Sequence, residues 1–223
     1  LNLINSTVSE NSATTSFGGA GIRHRYGSTH VTNSTISGNS APNGSGGGFS
    51  IYGGSASFEN SIIAGNTSAS GHADVNGTFG SITGSNNVVL DGNVAGMTGT
   101  IAADPLLGPL QDNGGPTLTH ALLAGSPAID AGDNALAVDA DSNALTTDQR
   151  GAGFARTFGT VDIGAFEVSP APDVFVVDTA IDEADGDLSP GDVSLRDAII
   201  AANADPNPST ITFAPSLDGT LLE

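Results

Sequence analysis

Asn33-Ser34-Thr35-Ile36-Ser37-Gly38-Asn39 decides how this chain folds, because the stretch recurs. An earlier copy runs Asn5-Ser6-Thr7-Val8-Ser9-Glu10-Asn11 and a later one Asn60-Ser61-Ile62-Ile63-Ala64-Gly65-Asn66, with starts 28 and 27 positions apart. A fainter fourth, Asn87-Val88-Val89-Leu90-Asp91-Gly92-Asn93, follows after another 27. The intervening halves repeat as well: Gly18-Gly19-Ala20-Gly21-Ile22 precedes the second copy and Gly46-Gly47-Gly48-Phe49 the third. Self-similarity at a fixed period of this length marks stacked supersecondary units. Each unit reads as short alternating strands separated by Gly, Asn and Ser turns. Strands so short do not stand alone. One period per coil, stacked at roughly 4.8 Å, brings Val8, Ile36 and Ile63 into one inward ladder and Ile22 and Phe49 into another. It also predicts two asparagine columns, Asn5, Asn33, Asn60, Asn87 and Asn11, Asn39, Asn66, Asn93, bonded amide to amide and to turn backbone. The expected fold class is all-β, a right-handed parallel β-helix, the hand following from the strong preference of parallel crossovers.

Composition agrees with a thin, repetitive core. Of 223 residues 31 are glycine, none is tryptophan and one is methionine, so there is little bulk for a globular interior. The formal charge is −19 and all five basic residues are arginines. Phosphate backbones and anionic lipid repel such a polyanion, which excludes nucleic-acid and membrane-surface binding as expected functions. No apolar run approaches the roughly 20 residues that span a bilayer, so no membrane insertion is expected. The charge is uneven: of 24 acidic residues only Glu10, Glu59, Asp74 and Asp91 precede Asp104. The absence of cysteine rules out disulfides and thiolate metal sites as supports of the fold.

The coils of residues 1–103 resemble those of the pectin-lyase-like superfamily, in the version found in bacterial surface proteins. From residue 104 the texture changes to Asp104-Pro105-Leu106-Leu107-Gly108, Asp112-Asn113-Gly114-Gly115-Pro116-Thr117, Ser126-Pro127-Ala128-Ile129-Asp130, Asp148-Gln149-Arg150-Gly151 and Val161-Asp162-Ile163-Gly164-Ala165-Phe166-Glu167. Residues 104–168 thereby resemble the choice-of-anchor Q domain, which implies a segment closing a β-helix ahead of a surface anchor. An open solenoid end exposes strand edges and an apolar interior, so a cap is expected on physical grounds too. Alternation of Val161, Ile163 and Ala165 predicts a strand paired with the last coil, and Arg150 is a natural partner for Asp148 or Asp162.

Residues 169–173, with Ser169-Pro170-Ala171-Pro172, read as a stiff linker. Beyond it, in residues 174–223, Val174-Phe175-Val176-Val177-Asp178 and Val193-Ser194-Leu195-Arg196-Asp197-Ala198-Ile199-Ile200 resemble the CSLREA domain. Val193 stands where that family has cysteine and Asp197 where it has glutamate. The resemblance implies the N-terminal side of a further β-helix. Ser194 and Asp197 form a capping-box-like start to a short helix whose apolar face is Leu195, Ala198, Ile199 and Ala202, suited to plug an open coil. Ile211-Thr212-Phe213 is then expected to be the first strand of the next unit.

Fold does not decide chemistry. Resemblance to the pectin-lyase-like superfamily raises polysaccharide lyase or hydrolase activity, which would need an arginine base beside calcium-bound carboxylates or paired carboxylates on one groove. The coils hold few carboxylates. Their one polar cluster is Arg23-His24-Arg25-Tyr26, where alternation puts Arg23 and Arg25 outside and His24 inside; Ser50 and Tyr52 replace the arginines one period on. These residues are the candidate binding site. Calcium is the candidate cofactor, through Asp139, Asp141 and Asn143 and through Asp182, Asp185, Asp187 and Asp192, since hard cations want several such oxygens. Position twelve counted from Asp139 is Arg150 rather than glutamate, which excludes a standard EF-hand loop. The expected function is a non-enzymatic, secreted or cell-surface structural or adhesin segment of bacterial type, in contact with extracellular glycans or other surface proteins. The alternatives are a polysaccharide-degrading enzyme and a carbohydrate-binding module.

Overall fold

Stacking of the repeat organises the N-terminal part of the computed structural model, which describes residues 1–77, 80–92, 94–169, 173–186, 188, 191–204 and 209–218. Leu1–Val168 form one compact unit and Ser169–Glu223 another. In the first unit, three parallel sheets of three or more strands run along the stack, beside a two-stranded parallel pair of Ser40–Ser45 and Thr67–Ser70. The first contains Asn2–Ile4, Ser28–Thr32, Ser55–Glu59, Ser81–Ser85 and Met97–Thr98. The second contains Thr7–Ser9, Thr35–Ser37, Ile62–Ala64 and Val88–Val89, and the third Ile22–His24, Phe49–Ile51 and Val75–Gly77. This is an all-β parallel solenoid.

Register matches the repeat. Val8 lies beside Ile36, Ile36 beside Ile63 and Ile63 beside Val89, while Ile22, Phe49 and Val75 form a second ladder and Leu3, Val31 and Phe58 a third. All of these point into one apolar core. The corner between the first two sheets needs a left-handed residue, supplied by Asn5, Asn33, Asn60 and Asn86 at φ 45°, 44°, 48° and 53°. Asparagine tolerates this conformation better than any other residue with a β-carbon.

The fourth copy sits one position away from its sequence alignment. Asn86, not Asn87, takes the corner, and Val88 and Val89 pair with Ile62 and Ile63. A register with Asn87 at the corner would turn Leu90 inward, yet Leu90 is 47% exposed and Val89 is buried in the core. A one-residue slip exchanges the two faces of a strand, so burial selects the shorter last period.

The two asparagine columns behave differently. Asn11 Nδ2 donates to Asn39 Oδ1 at 2.8 Å and Asn39 Nδ2 to Asn66 Oδ1 at 2.9 Å, as expected of a ladder. Asn66 Nδ2 then donates to Asp74 Oδ1 at 2.8 Å. A carboxylate only accepts, so Asp74 ends a row of head-to-tail amides. Its burial raises its pKa against the donors that favour the charge. The expected ladder position Asn93 lies outside the described residues. In the other column the amides do not bond to one another. Asn5 Nδ2 donates to Thr147 O at 2.7 Å and Asn60 Nδ2 to Asp133 O at 2.9 Å. Both partners belong to residues 104–168.

That segment is not a plug over the open end but a strap along the flank of the second sheet. It reaches back to the first coil, where Thr7 Oγ1 meets Gln149 Oε1 at 2.6 Å and Ser9 Oγ meets His120 Nε2 at 2.8 Å. Higher up, Gly164 N donates to Asn60 O and Ala165 N to Thr35 Oγ1. Outward-facing Ile62, Ala64 and Val88 join Leu122, Ala128 and Ile163 in a second core under it. Val161, Ile163 and Ala165 are buried, but their segment is irregular rather than a strand on the last coil. Gly164, at φ 111°, is where the strap presses closest: a β-carbon there would lie 2.8 Å from Ile62 Cδ1 and 3.0 Å from Thr35 Oγ1. The only regular pair in the strap is the antiparallel Leu107–Gln111 with Thr119–Leu122 among the described residues.

The second unit is a small β-α-β arrangement. Asp173–Val177 and Ser209–Phe213 pair in parallel, as strands of a solenoid do, and helix Leu195–Ala204 packs on them through Ala198, Val177 and Val193. Its start follows the expected cap: Asp197 N donates to Ser194 Oγ at 3.0 Å. The apolar face is narrower than expected, because Ile199 and Ile200 are exposed while Leu195, Ala198 and Ala202 turn inward. The linker positions 170–172 lie outside the described residues. Among the described residues no helix is long and apolar enough to cross a membrane.

Candidate functional site

Charged chemistry in the first unit concentrates in the strap. Asp148-Gln149-Arg150-Gly151 turns so that Arg150 Nε donates to Asp148 Oδ2 at 2.9 Å and Nη2 donates to the same oxygen at 2.6 Å. Arg150 Nη2 also donates to Glu167 O at 2.6 Å, and its guanidinium lies between the rings of Phe154 and Phe166, 4.1 and 3.8 Å from their centroids. Of the two partners expected for Arg150, Asp148 is the one it takes. Asp162 instead accepts from Asp130 N at 2.8 Å and Val168 N at 2.6 Å, clamping two strap segments together.

Arg156, which the sequence reading passed over, is the largest fully buried side chain. Its Nη2 donates to Glu167 Oε2 at 2.7 Å and to Asp162 O at 3.1 Å, and its Nη1 to Gly164 O at 3.0 Å and Asn5 Oδ1 at 3.4 Å. Glu167 also accepts from Phe158 N and Asp162 N. Burial pushes the Glu167 carboxyl up to about 7 despite the opposing guanidinium, and the neighbouring Asp162 adds to the rise. A carboxyl near neutrality beside an arginine is what an acid-base site needs, but here Arg156 and Glu167 are both buried from solvent. Its chemistry is that of a latch: Arg156 joins two strap segments to Asn5 of the first coil.

Coil carboxylates are likewise engaged by the chain itself. Glu59 Oε2 accepts from Ser85 N and Oγ, Asp91 Oδ2 from Ala73 N, and Asp74 from Asn66 and from Asp91 N. The candidate binding cluster divides as alternation requires. Arg23 is exposed on the outside of the third sheet, and Arg25 and Tyr26 are exposed just past the end of its strand. His24 points inward, buried, with Nδ1 2.8 Å from Thr29 Oγ1 and its ring stacked on Phe49 at 6.4 Å. It holds the strand and takes no part in the outer surface. Arg23 lies 4.4 Å over Phe17 and Arg25 5.8 Å from the Tyr26 centroid. Phe17 and Tyr52, absent from the expected set, complete this patch. The signal for Tyr52 was its place one period after Arg25, whereas Phe17 lies in a turn outside the strands and had none.

The acidic loops are self-contained. Asp139 Oδ1 accepts from Asp141 N, Asn143 N and Asn143 Nδ2, and these bonds hold its pKa down. In the second unit Asp182 is paired with Arg196, whose Nε donates to it at 2.8 Å. Burial pushes the Glu183 carboxyl up, and the nearby Asp192 and Asp185 add to the rise. Asp187 lies outside the described residues. Among the described residues no three histidine or acidic side chains converge as a metal site would need.

Comparison with protein-family models, with curated proteins and with solved structures gives no match. The class of the molecule therefore rests on its geometry: a parallel β-solenoid with a lateral strap, followed by a β-α-β unit.

Proposed function

We propose that this chain is a non-catalytic β-helical scaffold segment of a secreted or cell-surface protein, of structural or adhesin type. The observation that carries the reading is how the buried ionisable groups of the first unit are used. Asp74, Asp148, Arg150, Arg156, Asp162 and Glu167 bond to the chain's own backbone, turns and one another, and so stiffen the stack. A depolymerising site would need at least two such groups facing substrate. The resemblance of residues 104–168 to the choice-of-anchor Q domain and of the region after residue 173 to the CSLREA domain supports an extracellular place in a longer bacterial protein.

The test is turnover. The purified chain is incubated with acidic and neutral polysaccharides, and unsaturated products are followed by absorbance and reducing ends by colorimetry. Neither is expected to rise above a heat-denatured control. Product formation that disappears in Arg25→Ala would replace the scaffold reading with that of an enzyme.

A further inference from the structure

Residues 169–223 hold eleven acidic residues against one basic residue, Arg196, and no histidine. That arginine is already engaged: its Nε donates to Asp182 at 2.8 Å, in an ion pair whose side chains are 58% and 38% exposed. The pair ties segment 179–182 to the start of helix Leu195–Ala204, and between these two walls lies an open groove of about 380 Å³. Its apolar lining is Ile181, Leu195, Ile199 and Ile200. Leu195 and Ala198 belong to the inward stripe of the helix, packed on Val177 and Val193. A helix turns about 100° per residue, which carries Ile199 and Ile200 off that stripe and into the open, 43% and 53% exposed. Ile181 across the groove is 65% exposed. Isoleucine is a weaker helix former than alanine and buries little here, so neither outward position serves the helix itself.

We propose that this groove binds a cationic amphipathic peptide, a helix with lysine or arginine on one face and large aliphatic side chains on the other. Exposed apolar side chains gathered together and rimmed by polar ones mark an interaction surface. An amphipathic helix laid into an apolar groove is one of the recurring ways in which a peptide is held. Charge selects the sign of the guest. Segment 179–182 runs directly into Glu183, and the helix carries Asp197 in its first turn, so both walls reach one acidic cluster at the same end. Desolvation there, followed by repulsion from Asp192, Asp185 and Asp197, pushes the Glu183 carboxyl up. Carboxylates that crowd one another favour an incoming cation, and the single guanidinium nearby is held by Asp182. A second copy of this chain brings the same excess of acid to the contact, and anionic lipid is repelled likewise.

Capture of a peptide needs no catalytic group, so it goes beyond the scaffold function and fails separately from it. Turnover of a polysaccharide would overturn the scaffold alone, and absence of peptide binding would leave the scaffold standing. The experiment titrates the full chain into a labelled leucine-lysine helical peptide, followed by fluorescence anisotropy at about 0.15 M salt, where long-range attraction is screened. A scrambled peptide of the same composition, a leucine-glutamate counterpart and oligolysine of equal charge serve as comparisons. Saturable binding of the amphipathic peptide is expected, with the scrambled peptide and oligolysine at least about tenfold weaker and the leucine-glutamate peptide unbound. Ile181→Ser, Ile199→Ser and Ile200→Ser are each expected to lose about tenfold in affinity, the scale of one large aliphatic side chain leaving water, at unchanged melting temperature because all three are exposed. Arg196→Gln releases Asp182 to the guest and should tighten binding, a change that no loss of structure would give. Absence of saturable binding, equal affinity for the scrambled peptide or oligolysine, affinity unmoved in all three serine variants, or no tightening in Arg196→Gln would each overturn the proposal. So would dimerisation of the free chain in sedimentation that Ile200→Ser abolishes, because a second copy would then be the occupant.

Discussion

Coils and strap fold against each other in the same unit, yet they are held by opposite means. In the coils each rung repeats the one below. Val8, Ile36, Ile63 and Val89 replace one another in the core, and Asn11, Asn39 and Asn66 hand a hydrogen bond along the row. No single rung is indispensable in kind, because neighbours offer the same contact, as in other one-dimensional arrays. In the strap no bond has a twin. Arg150 sits between two rings, Asp162 clamps two backbone amides and Arg156 spans to Asn5, 151 positions away in sequence. Periodic stabilisation is distributed, whereas aperiodic stabilisation is concentrated in a few buried charges.

This contrast breaks most sharply at Arg156. Its removal leaves Glu167 buried without a counter-charge, and breaking a buried pair costs about 3–5 kcal/mol. Arg156→Ala is expected to lower the urea midpoint accordingly at pH 8, with a smaller loss at pH 5, where Glu167 escapes by protonation. Hydrogen exchange tells whether the strap supports the coils: the amides of Ile36 and Ile62 should lose protection together with those of the strap. Unchanged protection there would mean that the coils stand without it.

Glu167 sharpens the same point through pH. Its folded pKa of about 7 lies above the ordinary value of 4.5, so the native state holds the proton more tightly than the unfolded chain. Its contribution to stability is therefore full below pH 4.5, falls as pH rises through 7, and is absent above. At about 1.4 kcal/mol per pH unit the window spans roughly 3 kcal/mol. Glu167→Gln keeps an acceptor for Arg156 but cannot titrate. Denaturation midpoints measured from pH 4.5 to 8 should therefore fall more steeply for the native chain than for the variant. Parallel curves would show that Glu167 is ionised throughout.

Periodicity is also why the coils were legible in sequence and the strap was not. Columns through Ile36 and Asn39 follow from spacing alone, and the helix start at Ser194 and Asp197 and the pairing of Arg150 with Asp148 follow from local chemistry. The landing of the strap depends on contacts made once, across more than a hundred positions, such as Ser9 with His120. One trace of it was available. Thr7 and Ser9 are polar on the outer face, but Ile62, Ala64 and Val88 are apolar there, so alternation fails in the two later coils. A strand apolar on both faces is covered on both. The misplaced fourth copy has a related cause: Asn86-Asn87 offers two corners, and only the burial of Val89 chooses between them.

The smallest expected effect separates the two asparagine columns. Asn39 donates to Val8 O, Ser37 O and Asn66 Oδ1 and accepts from Asn11, so Asn39→Ala strands several buried groups. A loss of about 1–3 kcal/mol is expected. Asn33 is equally buried but occupies the corner column, and neither end of its amide meets a partner among the described residues. What the position requires of Asn33 is its φ of 44°, which glycine adopts freely. Asn33→Gly removes a buried unpaired amide while loosening the unfolded chain by roughly 0.5–1 kcal/mol, so the two changes nearly cancel and the midpoint should move by less than about 1 kcal/mol. Equal losses in the two variants would mean that both columns act as ladders, and that the division between corner and ladder asparagines is wrong.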